Sequence, residues 1–212
     1  MKVLISPVNA KEAAIVAEAG TDILDIKNTK EGSLGAQFPW VIKEITEQYW
    51  SKGIVCSATL GDLPYKPGTA ALAAYGAANC GVTYIKAGLH GVRSLQEAIE
   101  MMQAIVHAAH MIDEKITIVA SGYADYRKFD GLPYHTLVEA AKQSGSQVAM
   151  LDTYYKDGST LFDAMSFAEL NEFTRHAHQL GLKVALAGSI NATHLPDLLT
   201  ISPDIIGVRG VV

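Results

Sequence analysis

Eight short runs rich in aliphatic and β-branched residues alternate with longer helical patterns from one end of the 212-residue chain to the other. They are Val3-Leu4-Ile5, Ile23-Leu24-Asp25-Ile26, Ile54-Val55-Cys56, Thr83-Tyr84-Ile85, Ile116-Thr117-Ile118-Val119, Val148-Ala149-Met150-Leu151, Val184-Ala185-Leu186 and Ile205-Ile206-Gly207-Val208. Successive starts lie 20 to 36 residues apart. That spacing brackets the ~30 residues of a strand–helix–strand unit, so each gap has room for a crossover helix. Strands separated by helices lie parallel, and their near-uniform hydrophobicity implies burial on both faces. Eight such units close most naturally into a (β/α)8 TIM barrel of the α/β class. No linker, low-complexity tract or charge block interrupts the pattern, so residues 1–212 read as one catalytic domain. A barrel of this kind usually runs to about 250 residues and includes an eighth helix. The given chain stops at Val212, so that helix is expected to be absent, because the recorded chain is cut short or because an oligomer covers the seam.

Helix signals are equally regular. Asn9 is placed to cap a helix from Lys11 to Ala19 closed by Gly20, and Pro39 to open the next. An alanine-rich helix is expected from Thr69 to Asn79, ending at Gly81. Another is expected from Ser94 to Met111, with Leu95, Ala98, Met102, Ile105 and Ala109 on its apolar face. Pro133 opens a fifth, Ser166 caps one ending near Gly181, and Asn191 caps a short one before Pro203.

Composition narrows the function. The chain is 49% hydrophobic and 18% charged, which excludes disorder, and its net charge is −5. No lysine or arginine run forms a phosphate-tracking stripe, so a nucleic-acid surface is not expected. Cys56 and Cys80 form no CxxC pair and read as buried small hydrophobes in a reducing, cytoplasmic setting. No apolar stretch approaches the ~18 residues of a membrane span.

In a TIM barrel the chemistry sits at the C-terminal ends of the strands. There this chain carries Asp25 and Lys27 on strand two, Lys86 on strand four, and Asp152 with Lys156 after strand six. A single lysine at a strand end can simply snorkel to water. Three on alternate strands converge, because even-numbered strands contribute to the same interior layers. A free lysine near ~10.4 holds almost no neutral amine at pH 7, and only the neutral amine attacks a carbonyl. A neighbouring cation lowers that value and frees a nucleophile, while Asp25 and Asp152 can orient the lysines or shuttle protons. The cluster fits Schiff-base chemistry on a carbonyl substrate, with one lysine as nucleophile and another as acid/base.

The loops after strands seven and eight often hold phosphate in this fold. Here Gly188, Ser189, Arg209 and Gly210 supply close backbone approach, a hydroxyl and a guanidinium. Gly88-Leu89-His90-Gly91 and Ser121-Gly122-Tyr123 read as further flexible strand-end loops, which makes Ser121 and His90 substrate-contact candidates. Tyr123, Tyr126, Tyr154 and Tyr155 read as pocket walls. His107 with His110, and His176 with His178, lie on outer helices without an HExxH or a carboxylate partner pattern, so no metal site is expected. No motif points to a nucleotide or redox cofactor. The alanine-rich surface from Ala70 to Ala78 and the open seam suggest a homo-oligomer.

Three segments carry a family resemblance over essentially the whole chain. Asp25-Ile26-Lys27-Asn28-Thr29-Lys30-Glu31-Gly32-Ser33-Leu34-Gly35-Ala36, Tyr84-Ile85-Lys86-Ala87-Gly88-Leu89 and Met150-Leu151-Asp152-Thr153-Tyr154-Tyr155-Lys156-Asp157-Gly158 resemble the (5-formylfuran-3-yl)methyl phosphate synthase family of methanofuran biosynthesis. The resemblance implies a lyase that condenses two glyceraldehyde 3-phosphate molecules, losing one phosphate and two waters. It implies that Lys27 forms the Schiff base and Lys86 accepts a proton. Asp25, Asp152 and Lys156 fall on matching positions, with orientation, proton shuttling or phosphate contact as their roles.

Other readings compete. A class I aldolase or triose-phosphate isomerising barrel would use the same imine but release no phosphate. An orotidine-phosphate-decarboxylase-like barrel begins its DxKxxD signature at Asp25 and Lys27 but meets Lys30 where the next carboxylate belongs. A non-catalytic phosphometabolite sensor would bind a triose phosphate without consuming it.

Overall fold

The computed structural model describes residues 1–209, so Gly210 lies outside the described residues. Eight parallel strands close in sequence order into a barrel, with β1 (Lys2–Ile5) hydrogen-bonded to both β2 (Ile23–Ile26) and β8 (Ile205–Val208). Between them run β3 (Val55–Pro64), β4 (Tyr84–Gly91), β5 (Thr117–Tyr123), β6 (Val148–Asp152) and β7 (Lys183–Leu186). The expected TIM barrel is therefore the observed one.

The crossovers are α1 (Ala10–Glu18), α2 (Pro39–Trp50), α3 (Pro67–Ala78), α4 (Leu95–His110) and α5 (Tyr134–Ser144). They continue with α6 (Leu161–Ala164), α7 (Phe167–Gln179) and α8 (Leu195–Ile201). Local capping explains the starts. Asn9, Ser94 and Ser166 each accept the backbone N–H three residues on, and Pro39 supplies a preset φ at the start of α2. Asn191 caps a 3₁₀ turn (Ala192–His194) that leads into α8. The short α6 has its own Thr160–Asp163 capping box and belongs to the loop after β6, so β6 and β7 are joined by two helices. β8 is the last element among the described residues.

Strand alternation divides the apolar residues into two cores. Outward-facing Leu24, Ile26, Ile85, Ile118, Leu151 and Leu186 pack beneath the helices. Leu4, Ile23, Val119, Val148, Met150, Ala185 and Ile205 fill the inside of the barrel. Above that plug the inward positions become polar: Ser6, Asp25, Ser57, Lys86 and Ser121 are all buried.

Two segments expected as loops are strand. Gly88–Gly91 belongs to β4 and Ser121–Tyr123 to β5, because both remain on the ladder where their neighbours can pair. β3 likewise runs on past Thr59. Thr59 faces Lys86 and Asp62 faces Gly88, so three steps on β3 oppose two on β4. Gly61, at φ 118°, absorbs the extra residue. This bulge shifts the alternation by one and brings Asp62 onto the face that Gly88 shares with Lys86.

Ile85, fully buried beneath the helices, tests the outer core. Ile85→Ala is expected to cost ~2–5 kcal/mol, against about 1 kcal/mol for the cap deletion Ser166→Ala, both read from urea unfolding midpoints.

Candidate active site

The polar layer is built around a buried ion pair. Lys86 Nζ lies 2.6 Å from Asp25 Oδ2, with the two side chains 2% and 0% exposed. Ser6 Oγ also donates to Oδ2 at 2.9 Å, and Ser57 Oγ donates to Oδ1. Burial pushes the Asp25 carboxyl up, but Lys86 and Lys27 outweigh it, so its pKa lies below the usual 3.8.

Lys27 lies just past the end of β2, two residues after Asp25, and is 8% exposed. Its Nζ donates to the Ser33 carbonyl at 3.2 Å. Burial pulls its pKa below 10.5. Asp152 and Asp25 oppose that fall, whereas Lys86 and Lys156 add to it. Lys27 is therefore a lysine shifted toward the neutral, nucleophilic amine, with a fixed cation close by.

Asp152 ends β6. Burial raises its carboxyl, but Lys156 and Lys27 together with hydrogen bonds from Lys156 and the Thr153 amide hold it below 3.8. Lys156 Nζ reaches Asp152 Oδ1 at 3.0 Å and the Thr153 carbonyl at 2.8 Å, and its side chain is 46% exposed. The five charged residues singled out in the sequence thus form one cluster running from the barrel interior to its mouth.

The other candidates are placed differently. Ser121 is fully buried on β5, and its Oγ has no hydrogen-bond partner among the described residues. His90 lies on the wall, stacked on Tyr154 with ring centroids 3.9 Å apart and tilted against Phe129 at 4.5 Å. Burial lowers its pKa below 6.5. Gly188 is buried at φ 114°, and a Cβ there would come 2.9 Å from the Thr153 side chain, so the loop after β7 packs closely on the one after β6. Ser189 and Arg209 are exposed. Tyr123 and Tyr154 form an aromatic wall beside His90, with Tyr155 more exposed, whereas Tyr126 is buried in the outer apolar core.

The outer-helix histidines have structural partners. His110 Nε2 lies 3.0 Å from the Ile116 carbonyl, His176 contacts Glu139 and His178 contacts Asp204. Among the described residues no three histidine, cysteine or acidic side chains group as a metal site, and no helix is long and apolar enough to cross a membrane. Cys56 and Cys80 are buried and unbridged.

Two residues near the site went unread in the sequence. Asp62 accepts the Tyr123 hydroxyl and the Leu34 amide, and Asp125 accepts the Tyr154 and Tyr155 amides at 2.8 and 2.9 Å. Asp62 stands in a Gly-Asp-Leu-Pro stretch that resembles a turn.

Residues 3–212 match the sequence profile of a family described as 4-HFC-P synthase. A (5-formylfuran-3-yl)methyl phosphate synthase from Archaeoglobus fulgidus is 50% identical over 212 residues, covering 100% of this chain and 90% of the relative. One of the same description from Methanocaldococcus jannaschii is 50% identical over 210 residues, covering 99% and 89%. Solved structures agree on the fold alone. A CutC protein from Streptococcus agalactiae, titled a putative copper homeostasis protein, superposes with TM-score 0.75 at 13% identity, covering 99% of both chains. A 3-hexulose-6-phosphate synthase gives 0.67 at 14%, covering 99% of this chain and 90% of the other.

Removing one member of the ion pair leaves a buried, uncompensated charge, so Asp25→Ala is expected to cost ~3–5 kcal/mol in urea unfolding. Adding Lys86→Met should recover part of that loss, and additive costs would deny the coupling. Both aspartates titrate lower when folded. Their contribution to stability is therefore complete above the unfolded value of 3.8 and is lost as pH falls through the lower folded values.

Proposed function

Because the chain belongs to the 4-HFC-P synthase family, we propose that it is a furan phosphate synthase of methanofuran biosynthesis. In this reading it condenses two glyceraldehyde 3-phosphate molecules into (5-formylfuran-3-yl)methyl phosphate, with loss of one phosphate and two waters. The observation that carries the mechanism is Lys27, a buried amine with a lowered pKa beside the Lys86–Asp25 ion pair.

Neutral Lys27 adds to the aldehyde of the first triose phosphate. The resulting carbinolamine loses its hydroxyl as water, using a proton from Lys86, and becomes an iminium ion. Neutral Lys86 then takes the proton from the carbon beside the iminium. That step yields the enamine and restores the ammonium beside Asp25. The enamine carbon bonds to the second aldehyde, whose oxygen takes the proton back from Lys86, and the nitrogen of Lys27 returns to the iminium. Elimination of one phosphate, ring closure and dehydration follow, driven toward the aromatic furan. Imine hydrolysis returns the water released when it formed.

Lys156, half-exposed at the mouth, suits a phosphate clamp better than a base. Gly188, Ser189, Arg209 and Gly210 are proposed as the second phosphate contact, and Ser121 and His90 as substrate contacts. Asp152 orients Lys156 and, through its charge, Lys27. We place the enzyme in the cytoplasm as a homo-oligomer, with exposed Leu72 and Tyr75 on α3 as apolar surface available to a second copy.

Incubation with glyceraldehyde 3-phosphate alone is expected to give a furan aldehyde monophosphate with matching phosphate release, followed by mass spectrometry. Recovery of only an isomer or a six-carbon bisphosphate would favour the aldolase reading. Borohydride should trap an adduct on Lys27, and full turnover by Lys27→Ala would exclude the imine. Since the nucleophile is the deprotonated amine, imine formation should rise with pH along a limb lying below the 10.5 of an ordinary lysine.

A further inference from the structure

The loop between β2 and α2, residues 28–38, folds back over Lys27. Ser33 and Leu34 are buried in it, and the Ser33 carbonyl accepts the bond from Lys27 Nζ. Three restraints, two from β3 and one from the loop after β6, hold it there. Thr59 Oγ1 on β3 donates to the Gly35 carbonyl at 2.7 Å. Ser33 Oγ donates at 2.7 Å to the Thr153 carbonyl, which also accepts Lys156. The third restraint is Asp62, brought inward by the β3 bulge, whose Oδ2 and Oδ1 lie 3.2 and 3.3 Å from the Leu34 amide.

Asp62 is itself fixed from β5. Tyr123, a residue 2% exposed, donates its hydroxyl to Oδ1. Burial and Asp62 keep that phenol's pKa far above 10, so it remains a donor at any working pH. Two glycines leave the space this needs. A Cβ on Gly32 would stand 2.1 Å from Asp62 Oδ2, and one on Gly88 would stand 2.2 Å from the Tyr123 hydroxyl.

We propose that Asp62 is a positioning residue, which with Tyr123 latches the β2–α2 loop over Lys27, fixing the amine and keeping water from it. The latch stands on geometry alone, whereas its catalytic consequence rests on the Lys27 imine described above. The charged groups facing Lys27 are Asp25 on the preceding β2, Lys86 on β4, Asp152 on β6 and Lys156 on the loop that follows. An opened loop leaves all four in place but admits water, which weakens the burial that holds the amine's pKa down.

The test is trace acylation of intact enzyme with acetic anhydride across a pH series, with Lys27 modification read by peptide mass spectrometry. In Asp62→Ala the Lys27 midpoint is expected to rise by about one pH unit, with a faster plateau rate. Electrostatics alone predicts the opposite, because losing a carboxylate favours the neutral amine. Tyr123→Phe changes no charge and should shift the midpoint upward by less, which keeps the test decisive if Asp62→Ala does not fold. An unchanged or lowered midpoint in the folded variants overturns the latch. Turnover by Lys27→Ala would remove the imine and leave the labelling result standing, so the two failures are distinguishable.

Discussion

The arrangement inside the barrel depends on the 2.6 Å contact between Lys86 and Asp25. Taking either charge out of water costs several kcal/mol, which a single Coulomb contact repays only if the remaining hydrogen-bonding capacity is filled. Here it is filled from neighbouring strands. Ser6 comes from just beyond the end of β1 and Ser57 from β3, and both hydroxyls donate to the same carboxylate. Small polar residues on the inward face thus let a cation lie one layer above a wholly apolar plug.

With that cation fixed, Lys27 follows. Among the described residues it has no direct hydrogen bond to a carboxylate, and its charged neighbours include Lys86 and, nearer the mouth, Lys156. Aspartates at 25 and 152 limit the fall in its pKa without abolishing it. The balance gives two lysines with different duties, one paired and suited to proton transfer, the other poised to attack carbon. Lys156, paired with Asp152 and reaching water, has a third setting suited to an incoming phosphate. One residue type therefore serves three roles because burial and partner differ at each position.

Much of this was legible beforehand for local reasons. Strand alternation alone puts Asp25 and Lys27 on one face, and cap chemistry at Asn9, Ser94 and Ser166 sets helix starts from adjacent residues. The convergence of Lys27, Lys86 and Lys156 needed only the assumption that the barrel closes. The errors share a cause. Gly88–Gly91 and Ser121–Tyr123 look like loops by composition, yet ladder pairing with neighbouring strands holds both as strand. A four-residue helix such as α6 is too short to show a period.

Asp62 marks the boundary most clearly. The sequence by itself determined the eight strands in order, their parallel closure and the even-strand lysines, since each follows from periodicity or from residues adjacent along the chain. Only the tertiary structure decided that an aspartate in a Gly-Asp-Leu-Pro stretch would face inward. That outcome requires one extra residue on β3 opposite β4, absorbed at a left-handed Gly61, and a tyrosine from β5 to receive the turned carboxylate. A bulge reverses which face every later residue occupies, and its position is set by pairing with another strand.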